Sequence, residues 1–407
     1  MRFVFVHQNF PGQFLHLVRF LVRAGGNEVV FITEENANAI PGVRKVIYRV
    51  PAGRTVSVDA VELDAAMARA AAVADVARNL RALGYEPDMI IGHHGWGEML
   101  DIGDVWPAVP VLGYFEFFYR TVGQDVGFDA EFPLHPSALP RVRAKNAVNL
   151  LALTNPGWGQ TPTLFQHRTY PEWAQRRIAV LPEGVDLEMC RPLPELRRRA
   201  LVLNGFRVEP GDELITFVAR DLEPYRGFHV FMRALPALLR SRPKMKVIVV
   251  GGDGVSYGAR LVGTTWREFM LAELGDRLDH GRVCFAGKVE YSAFLALMQR
   301  ADVHVYLTYP FVASWSLREA LACGCAIVAS DTAPLLEFVE NGTTGLLAPF
   351  HDPATIAARV MELLDDRALA TRLREAARGF AERHLRLDAY LDNYLSLIDK
   401  VIAHGTR

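Results

Sequence analysis

Cysteine is scarce in this chain of 407 residues, which contains only four. Two of them form a Cys-x-Cys pair without a second ligand pair, which favours packing roles over a zinc site. The four positions are Cys190, Cys284, Cys323 and Cys325. Scattered thiols of this kind predict a reduced, cytoplasmic protein without disulfide bonds.

The sequence also lacks long apolar runs and an excess of one charge. No run approaches the ~18 apolar residues of a transmembrane helix, so no transmembrane segment is expected. Residues 1–6 read as a strand and not as a signal peptide, because polar residues follow at once without a small-residue cleavage site. The net charge of −1 and the lack of zinc-finger or RNA-binding signatures argue against nucleic acid as a partner. The basic cluster at 197–199 leaves peripheral contact with the inner membrane face open, although a solvated helix face explains it more simply.

A repeated strand-then-helix rhythm is present instead. Half of the residues are hydrophobic and 22% are charged, as in soluble enzymes, and the length predicts two domains. The alternation predicts an α/β protein with parallel sheets covered by helices on both faces, and with ligands beyond the C-terminal strand ends. In the first half we predict strands at 2–6, 28–33, 89–92, 109–114, 149–154 and 178–181, and helices at 13–24 and 65–83.

The second half begins a new α/β unit after a segment rich in Pro, Arg and Gly at 191–212. We predict strands at 214–219, 246–251, 282–286, 303–307 and 326–329, and helices at 227–239, 291–300, 315–322 and 381–404. The domains are expected at 1–190 and 191–383, with a C-terminal helix at 384–407 crossing back to the first domain. Two doubly wound, Rossmann-like domains facing each other across a cleft are the predicted architecture.

The segment 314–324 is the most informative part of the sequence. It combines a polar loop, a helix start, a carboxylate one turn into the helix and a glycine stop. The N-terminus of a helix presents unpaired N–H groups and a partial positive charge, which suit it to hold phosphate. The carboxylate of Glu319 could then accept hydrogen bonds from a ribose diol. The alternative is an ordinary buried helix in which Glu319 pairs with an arginine.

Several fragments around this helix occur in one order along the chain. The glycine turn at 251–254 alone suggests a dinucleotide fingerprint, but it lacks the third glycine at the required spacing. The ordered fragments are 219–220, 225–228, 251–254, 285–289, 301–306, the Glu319 helix and 341–347, preceded by 9–12 and 183–186. Together they resemble the GT-B glycosyltransferases of family 4, over nearly the whole chain and most strongly at 214–352.

The resemblance implies that Arg220 and Arg226 grip the pyrophosphate of a nucleotide-sugar donor. Lysine is usual at the second position, and arginine there keeps the charge and adds a fork suited to phosphate oxygens. The alternative for both arginines is a surface ion pair with Asp221 and Glu223.

The resemblance implies further donor contacts in both domains. Gly12 would let the backbone approach phosphate closely. Ser316 and Leu317 match positions whose N–H groups bind phosphate, Glu319 matches the residue that holds the ribose, and Val289 matches a backbone contact to the base.

The sequence departs from the family pattern at Phe311, eight positions before Glu319. A glutamate usually stands there and approaches the hydroxyls of the donor sugar. Recognition of the sugar must therefore depend on other groups, and the N–H groups of Val312 and Ala313 are the candidates.

A second departure lies after the strand that ends at Tyr114. Many family members have a histidine near the reacting sugar where this chain has Glu116. We expect Glu116 to hydrogen-bond the donor sugar or to accept the acceptor's proton, and a structural salt bridge to Arg120 is the alternative. Tyr114 begins an aromatic stretch, and His93 and His94 follow a strand, so all three are candidate contacts to the acceptor or sugar. The alternatives are satisfied loop histidines and an aromatic stretch that is packed core.

The function implied by the resemblance is transfer of a sugar from a UDP-, GDP- or similar donor, with retention of anomeric configuration. The acceptor would be a glycan, a lipid-linked molecule or a small molecule, as in polysaccharide biosynthesis. No cofactor or metal is expected, because fixed positive groups can stabilise the leaving diphosphate and no Asp-x-Asp pair ends a strand. A catalytically silent nucleotide-sugar-binding protein and a GT-B-fold sugar-nucleotide epimerase are the alternatives.

Overall fold

The computed structural model describes residues 1–50, 57–155 and 157–405. The chain forms two compact units: the first comprises Met1–Glu183 and Asp388–Arg407, and the second comprises Gly184–Leu387. The sequence places the corresponding boundaries after residues 190 and 383. None of the helices in the described ranges is long and apolar enough to cross a membrane.

The first unit contains a parallel sheet of seven strands among its described residues, in the order β3-β2-β1-β4-β5-β6-β7. The winding reverses between β1 and β4, so the carboxyl ends of these strands form the switch point at which doubly wound sheets bind ligands. The strands are β1 (Arg2–Val6), β2 (Glu28–Thr33), β3 (Val43–Ile47), β4 (Met89–His93), β5 (Val111–Tyr114), β6 (Trp158–Thr161) and β7 (Ile178–Val180). The helices are α1 (Leu15–Ala24), α2 (Val61–Ala82), α3 (Ile102–Val105), α4 (Leu139–Thr154), α5 (Leu164–Thr169), α6 (Glu172–Gln175) and the C-terminal α13 (Leu387–His404).

The second unit repeats this plan with a parallel sheet of six strands in the order β12-β11-β10-β13-β14-β15, counted over its described residues. Its switch point lies between β10 and β13. The strands are β10 (Glu213–Asp221), β11 (Met245–Gly252), β12 (Val283–Gly287), β13 (Val303–Tyr306), β14 (Ile327–Ser330) and β15 (Leu346–Ala348), preceded by a hairpin of β8 (Leu201–Leu203) and β9 (Phe206–Val208). The helices are α7 (Phe228–Ser241), α8 (Trp266–Leu274), α9 (Tyr291–Arg300), α10 (Trp315–Ala322), α11 (Pro353–Asp365) and α12 (Arg367–His384).

Hydrophobic spacing explains why these segments fold as they do. In α1 the buried residues Leu17, Val18 and Leu21 recur at the helical period, and Gly25 ends the helix with a positive φ of 71°. The strand β1 is buried after its first residue and β10 is buried over its run Leu214–Phe217, as expected for central strands covered on both faces. The predicted helices 291–300 and 315–322 are confirmed residue for residue.

The prediction of a strand at 149–154 is wrong, because these residues form the last turns of α4. An apolar run of this length does not distinguish a strand from a buried helix end. The buried residues of α4 recur every three to four positions, and the Asn149 side chain donates to the Phe117 carbonyl at 2.9 Å. The strand of this part of the sheet is β6, which is only four residues long and was not predicted.

The prediction of one continuous helix at 381–404 is also wrong. The helix α12 ends at His384 and α13 begins at Leu387. At the break, the Val185 N–H donates to the Leu385 carbonyl at 2.8 Å, and Val185 forms a β-bridge with Arg386. This pairing takes backbone groups that a continuous helix would need for its own hydrogen bonds.

Candidate functional site

Polar side chains converge at the switch point of the first unit. His7 follows β1 directly, His93 is the last residue of β4, and Glu116 lies two positions beyond β5. The rings of His7 and His93 are 5.0 Å apart between centroids, and His93 stacks on Tyr114 at 5.2 Å. Glu116 Oε2 lies 3.8 Å from His93 Nε2. The structure thus brings together three residues predicted from the sequence and adds His7, which sequence reasoning missed.

Backbone contacts fix the tautomer of both histidines. His7 Nδ1 accepts the N–H of Asn9 at 2.8 Å, and His93 Nδ1 accepts the N–H of Gly95 at 3.0 Å. The proton of each neutral ring therefore resides on Nε2. Burial lowers the pKa of His7 to about 4, and a side-chain interaction with Gln13 acts in the opposite direction. Burial also holds the pKa of His93 well below its ordinary value, so both rings are neutral near pH 7.

Gly12 lies against the His7 ring. Its φ is +54°, and a Cβ atom at this position would stand 2.9 Å from His7 Cδ2. A side chain here would be strained and would displace the imidazole, so the position requires glycine. This contact explains why position 12 is a glycine in the first unit. The role of Gly12 beside phosphate stays a prediction.

His94 points away from this cluster. Its ring packs on Phe115 at 4.6 Å and lines a separate, mainly apolar cavity of about 220 Å³ with residues such as Met99 and Trp106. The Tyr114 hydroxyl donates to Glu183 Oε1 at 3.4 Å, and its ring is buried. The two neighbouring histidines of the sequence therefore have different surroundings.

The surroundings of Glu116 bear on its two predicted roles. Its side chain is 25% exposed, and its carboxylate lies beside His93. Arg120, the alternative partner, donates from Nη2 to the carbonyl of Thr169 at 3.2 Å. The backbone carbonyl of Glu116 accepts a hydrogen bond from Gln166 at 2.8 Å, which fixes the chain just after β5.

The two arginines at the switch point of the second unit differ in their surroundings. Arg226 is buried at the end of a 3₁₀ helix, and its Nη1 donates to Thr308 Oγ1 at 2.9 Å and to the Val312 carbonyl at 2.8 Å. Arg220 is exposed near the end of β10 and has no hydrogen-bond or ion-pair partner in the described ranges. Arg226 is thus held rigidly, whereas the Arg220 guanidinium is available to a ligand.

The acidic residues Asp221 and Glu223, which lie next to these arginines in the sequence, bind the loop at 256–258. Glu223 is fully buried and accepts the N–H groups of Ser256 at 3.0 Å and Gly258 at 2.8 Å. Asp221 accepts the Ser256 hydroxyl at 2.5 Å, and Lys288 Nζ lies 3.8 Å from it. Burial raises the pKa of Glu223, against the effect of its N–H donors. Sequence reasoning missed this network, because its partners are more than thirty positions apart.

Phe311 belongs to an aromatic cluster around Arg226. Its ring packs edge-on against Tyr225 with the centroids 5.8 Å apart and is tilted against Tyr257 at 4.9 Å, and the Arg226 guanidinium lies 5.1 Å from the Tyr257 ring. Phe311 is 3% exposed, so this departure from the family pattern places apolar surface beside the buried cation. The Val312 carbonyl is used by Arg226.

The helix α10 begins three positions after Val312. Its N-cap, Ser314, makes no side-chain cap bond, and its hydroxyl lies 2.6 Å from that of Ser316. Leu317 N–H donates to the Ser314 carbonyl at 3.3 Å, so this predicted phosphate donor has a weak internal partner. Ala313 is partly buried against the core of the second unit.

Glu319 lies one turn into α10 and is held by a tyrosine. Tyr291 donates its hydroxyl to Glu319 Oε1 at 2.7 Å, and Cys190 Sγ lies 3.5 Å from the same hydroxyl. Burial raises the pKa of Glu319. Val289, the predicted base contact, is partly buried two positions before Tyr291. No local pattern in the sequence indicates Tyr291 as the partner of Glu319, because the two residues are 28 positions apart.

The curated relatives are similar to this chain over only part of their own length. D-inositol 3-phosphate glycosyltransferase of Streptomyces avermitilis is 32% identical over 211 residues, 51% of this chain and 43% of that protein. Phosphatidyl-myo-inositol mannosyltransferase of Mycolicibacterium smegmatis is 29% identical over 191 residues, 46% of this chain and 42% of that protein. Glycogen synthase of Mycobacterium tuberculosis is 31% identical over 172 residues, 42% of this chain and 39% of that protein. The chain thus spans less than half the length of these relatives.

Solved structures match the whole chain. Sucrose-phosphate synthase of Thermosynechococcus elongatus has a TM-score of 0.74 at 17% identity, over 99% of this chain and 100% of that chain. HepE of Anabaena, solved with UDP-glucose, has a TM-score of 0.70 at 15% identity, over 98% of this chain and 100% of that chain. At such identities the likeness shows the fold, which is GT-B.

Two family models match consecutive parts of the sequence. The glycosyl transferase family 4 group matches residues 25–190, and glycosyl transferases group 1 matches residues 205–380. These ranges contain the strand β4 of the first switch point and both strands of the second, β10 and β13. The chain therefore belongs to the GT-B glycosyltransferases of family 4.

Proposed function

We propose that this protein transfers a sugar from a nucleotide-diphosphate sugar to a hydroxyl of a glycan, a lipid-linked molecule or a small molecule, with retention of anomeric configuration. The observation that carries the proposal is the arrangement at the second switch point. There Arg226 donates a hydrogen bond to the Val312 carbonyl, three positions before α10 begins. Arg220 has an exposed guanidinium near the end of β10. Family membership supports the reaction class.

The proposed roles follow from the charge that the reaction creates. Breaking the anomeric carbon–oxygen bond leaves negative charge on the departing diphosphate, which fixed positive groups stabilise. We assign this role to Arg220, Arg226 and the N–H groups of Ser316 and Leu317 at the start of α10. Glu319 would accept hydrogen bonds from the ribose of the donor.

The remaining roles concern the base and the sugar. We assign the base contact to the backbone at Val289 and the phosphate approach of the first unit to Gly12. Contacts to the donor sugar would come from the N–H groups of Val312 and Ala313. A cytoplasmic location and peripheral membrane contact stay predictions.

A panel of UDP-, GDP-, ADP- and TDP-sugars tests the proposal. A donor present at 100 times its Kd should raise the free energy of unfolding by about 2.7 kcal/mol, which thermal melting detects. Transfer to a sugar acceptor should follow with the donor that binds. Release of free sugar without an acceptor would identify the epimerase, and binding without turnover would identify the silent binder. No stabilisation by any donor would contradict a nucleotide-sugar function.

Metal independence is a prediction of the same proposal. Transfer should persist in excess EDTA with only modest salt effects, because arginines and a helix N-terminus stabilise the diphosphate charge. The measurement is the initial rate with EDTA and after adding back magnesium or manganese. Complete loss in EDTA, restored by either metal, would contradict the assignment of that charge stabilisation to protein groups.

The role of Glu319 predicts a change in donor affinity. Glu319→Ala should raise the donor KM at least about tenfold and lower kcat less, because a charged hydrogen-bond acceptor is lost. Glu319→Gln should be milder, since an amide oxygen still accepts. Glu290→Ala, which removes an exposed acid before α9, is the control and should leave KM unchanged. Wild-type nucleotide affinity in Glu319→Ala would exclude the ribose role.

A further inference from the structure

Two buried ring N–H groups at the first switch point have no acceptor at hydrogen-bonding geometry among the described residues, although the Gln13 side chain lies near enough to His7 to raise its pKa. His7 is 2% exposed and His93 is 1% exposed. The Nε2 atom of each is buried and makes no hydrogen bond to any described residue. Buried polar groups in native proteins are nearly always paired, so two orphaned donors with ring centroids 5.0 Å apart point to a missing ligand.

The tautomers define what this ligand must offer. Both Nδ1 atoms are occupied by backbone N–H groups, so both Nε2 atoms carry the proton and can only donate. Neutral rings suit a neutral oxygen acceptor. Taking a proton at Nε2 would require giving up the Nδ1 contact, so the pair is a set of donors and not a general base.

Groups that accept hydrogen bonds stand beside the two donors. The Glu116 carboxylate lies 3.8 Å from His93 Nε2, and Gln13 Oε1 is another buried atom without a hydrogen-bond partner among the described residues. A hydroxyl group both accepts and donates, so it can satisfy a histidine N–H and one of these oxygens together. Carbonyl or ether oxygens would satisfy only the donors.

An aromatic surface completes the arrangement. Trp96 stacks on His93 with an interplanar angle of 25° and a centroid distance of 6.4 Å, and it is 41% exposed. An exposed aromatic face beside hydrogen-bonding groups matches a ligand with an apolar face and a polar rim. Sugars have this combination.

We propose that His7 and His93 form a paired N–H donor site that binds hydroxyl oxygens of a sugar, with the Glu116 carboxylate accepting a hydrogen bond from a sugar hydroxyl. The assignment rests on the proposed sugar-transfer function and adds His7 to it. Gly12 serves the site as the residue whose missing side chain lets the loop close over His7. The sugar belongs to the donor or to the acceptor, and the experiment distinguishes the two.

The test uses the full chain labelled with ¹⁵N-histidine. Long-range ¹⁵N spectra should show His7 and His93 protonated at Nε2, and the variants His7→Phe and His93→Phe assign the two signals. Glucose, galactose, mannose and N-acetylglucosamine at about 100 mM would saturate a millimolar site. Both signals should shift with at least one of these sugars or with a nucleotide sugar. A shift with a free sugar assigns the site to the acceptor, and a shift only with a nucleotide sugar, absent with its nucleoside diphosphate, assigns it to the donor.

Variants connect the site to affinity. His7→Phe and His93→Phe should each raise the KM for the sugar that causes the shift about tenfold, and His7→Gln, which keeps an N–H donor, should recover part of the loss. His167→Phe is the control, because this histidine of the same unit bonds Gln175 in α6 and should leave KM unchanged. Melting temperatures exclude misfolding, and His7→Gln remains informative if the Phe variants unfold.

Three results would overturn the site: protons on Nδ1, no shift with any sugar or nucleotide sugar, or wild-type KM in folded His7→Phe and His93→Phe. Failure of the proposed function has a different signature. In that case no nucleotide sugar binds or reacts, while the histidine signals still shift with a free sugar.

Discussion

Arg220→Ala should nearly abolish sugar transfer while leaving the protein folded. The guanidinium is exposed near the end of β10 and makes no hydrogen bond or ion pair in the described part of the chain, so its removal costs the fold little. A charge-assisted contact to the leaving diphosphate strengthens as the bond breaks, and its loss should raise the barrier by about 2–4 kcal/mol. The corresponding fall in kcat/KM is roughly 30- to 1,000-fold, measured by initial rates with the nucleotide sugar that binds.

Arg220 gives a cleaner test than Arg226. Removing Arg226 would also break its contacts to Thr308 and Val312, so lost activity could reflect a disturbed loop before α10. Arg220→Lys should be intermediate, because it keeps the charge and loses the bidentate fork. Arg240→Ala, which removes an exposed arginine of α7, should retain full activity as the control. Unchanged turnover in Arg220→Ala would end the diphosphate assignment.

The fold was predictable where the hydrophobic pattern of a segment and the length of that segment indicate the same secondary structure. The central strands are continuous apolar runs bounded by polar turns, and the long helices carry apolar residues at the helical period. The failures have the same physical origin. The end of α4 is an apolar run that fits either structure, and β6 is short and carries Gly159 and Gln160 in its centre. The break between α12 and α13 depends on pairing with Val185, about 200 positions away in the sequence.

The candidate site was predictable only where its residues stand at strand ends or in family motifs. Family motifs identified Arg220, and a departure from the family pattern identified Glu116. Position after a strand identified His93, because parallel strands bring their carboxyl ends to one edge. His7 has the same position after β1 and could have been found by the same argument. The contact of Tyr291 with Glu319 could not, since it joins two helices whose proximity follows from the packing of the unit.

The aromatic cluster around Arg226 shows how a departure from the family pattern is accommodated. Phe311 would be unfavourable as an isolated apolar residue beside a ligand, but Tyr225 and Tyr257 cover it. The electron-rich face of the Tyr257 ring also stabilises the buried guanidinium, which donates to the Thr308 hydroxyl and the Val312 carbonyl. The replacement therefore changes the polarity around the cation without leaving it unpaired.

Glu116→Gln should reduce the rate of the chemical step by at least ~100-fold, the scale of general acid–base catalysis, with little change in donor affinity. The carboxylate is partly exposed beside His93, whose ring is buried and neutral and can only donate at Nε2. Within this cluster Glu116 is the group with the charge and access needed to take a proton from an acceptor hydroxyl. Glutamine keeps the size and the hydrogen-bonding oxygen and removes the basicity, so single-turnover rates isolate that property.

A purely structural Glu116 would give a different result. If the carboxylate served an ion pair with Arg120, the variant would lose about 0–1 kcal/mol of stability and keep its rate. Arg120→Gln separates the two cases, because it removes that partner and leaves the carboxylate: the rate should stay near wild type if Glu116 acts on the acceptor proton. Glu172→Gln, an exposed acid in the first turn of α6, controls for the loss of one negative charge in the same unit. Rates and melting temperatures measured on one preparation decide the matter, and an unchanged rate in Glu116→Gln would exclude catalysis by this residue.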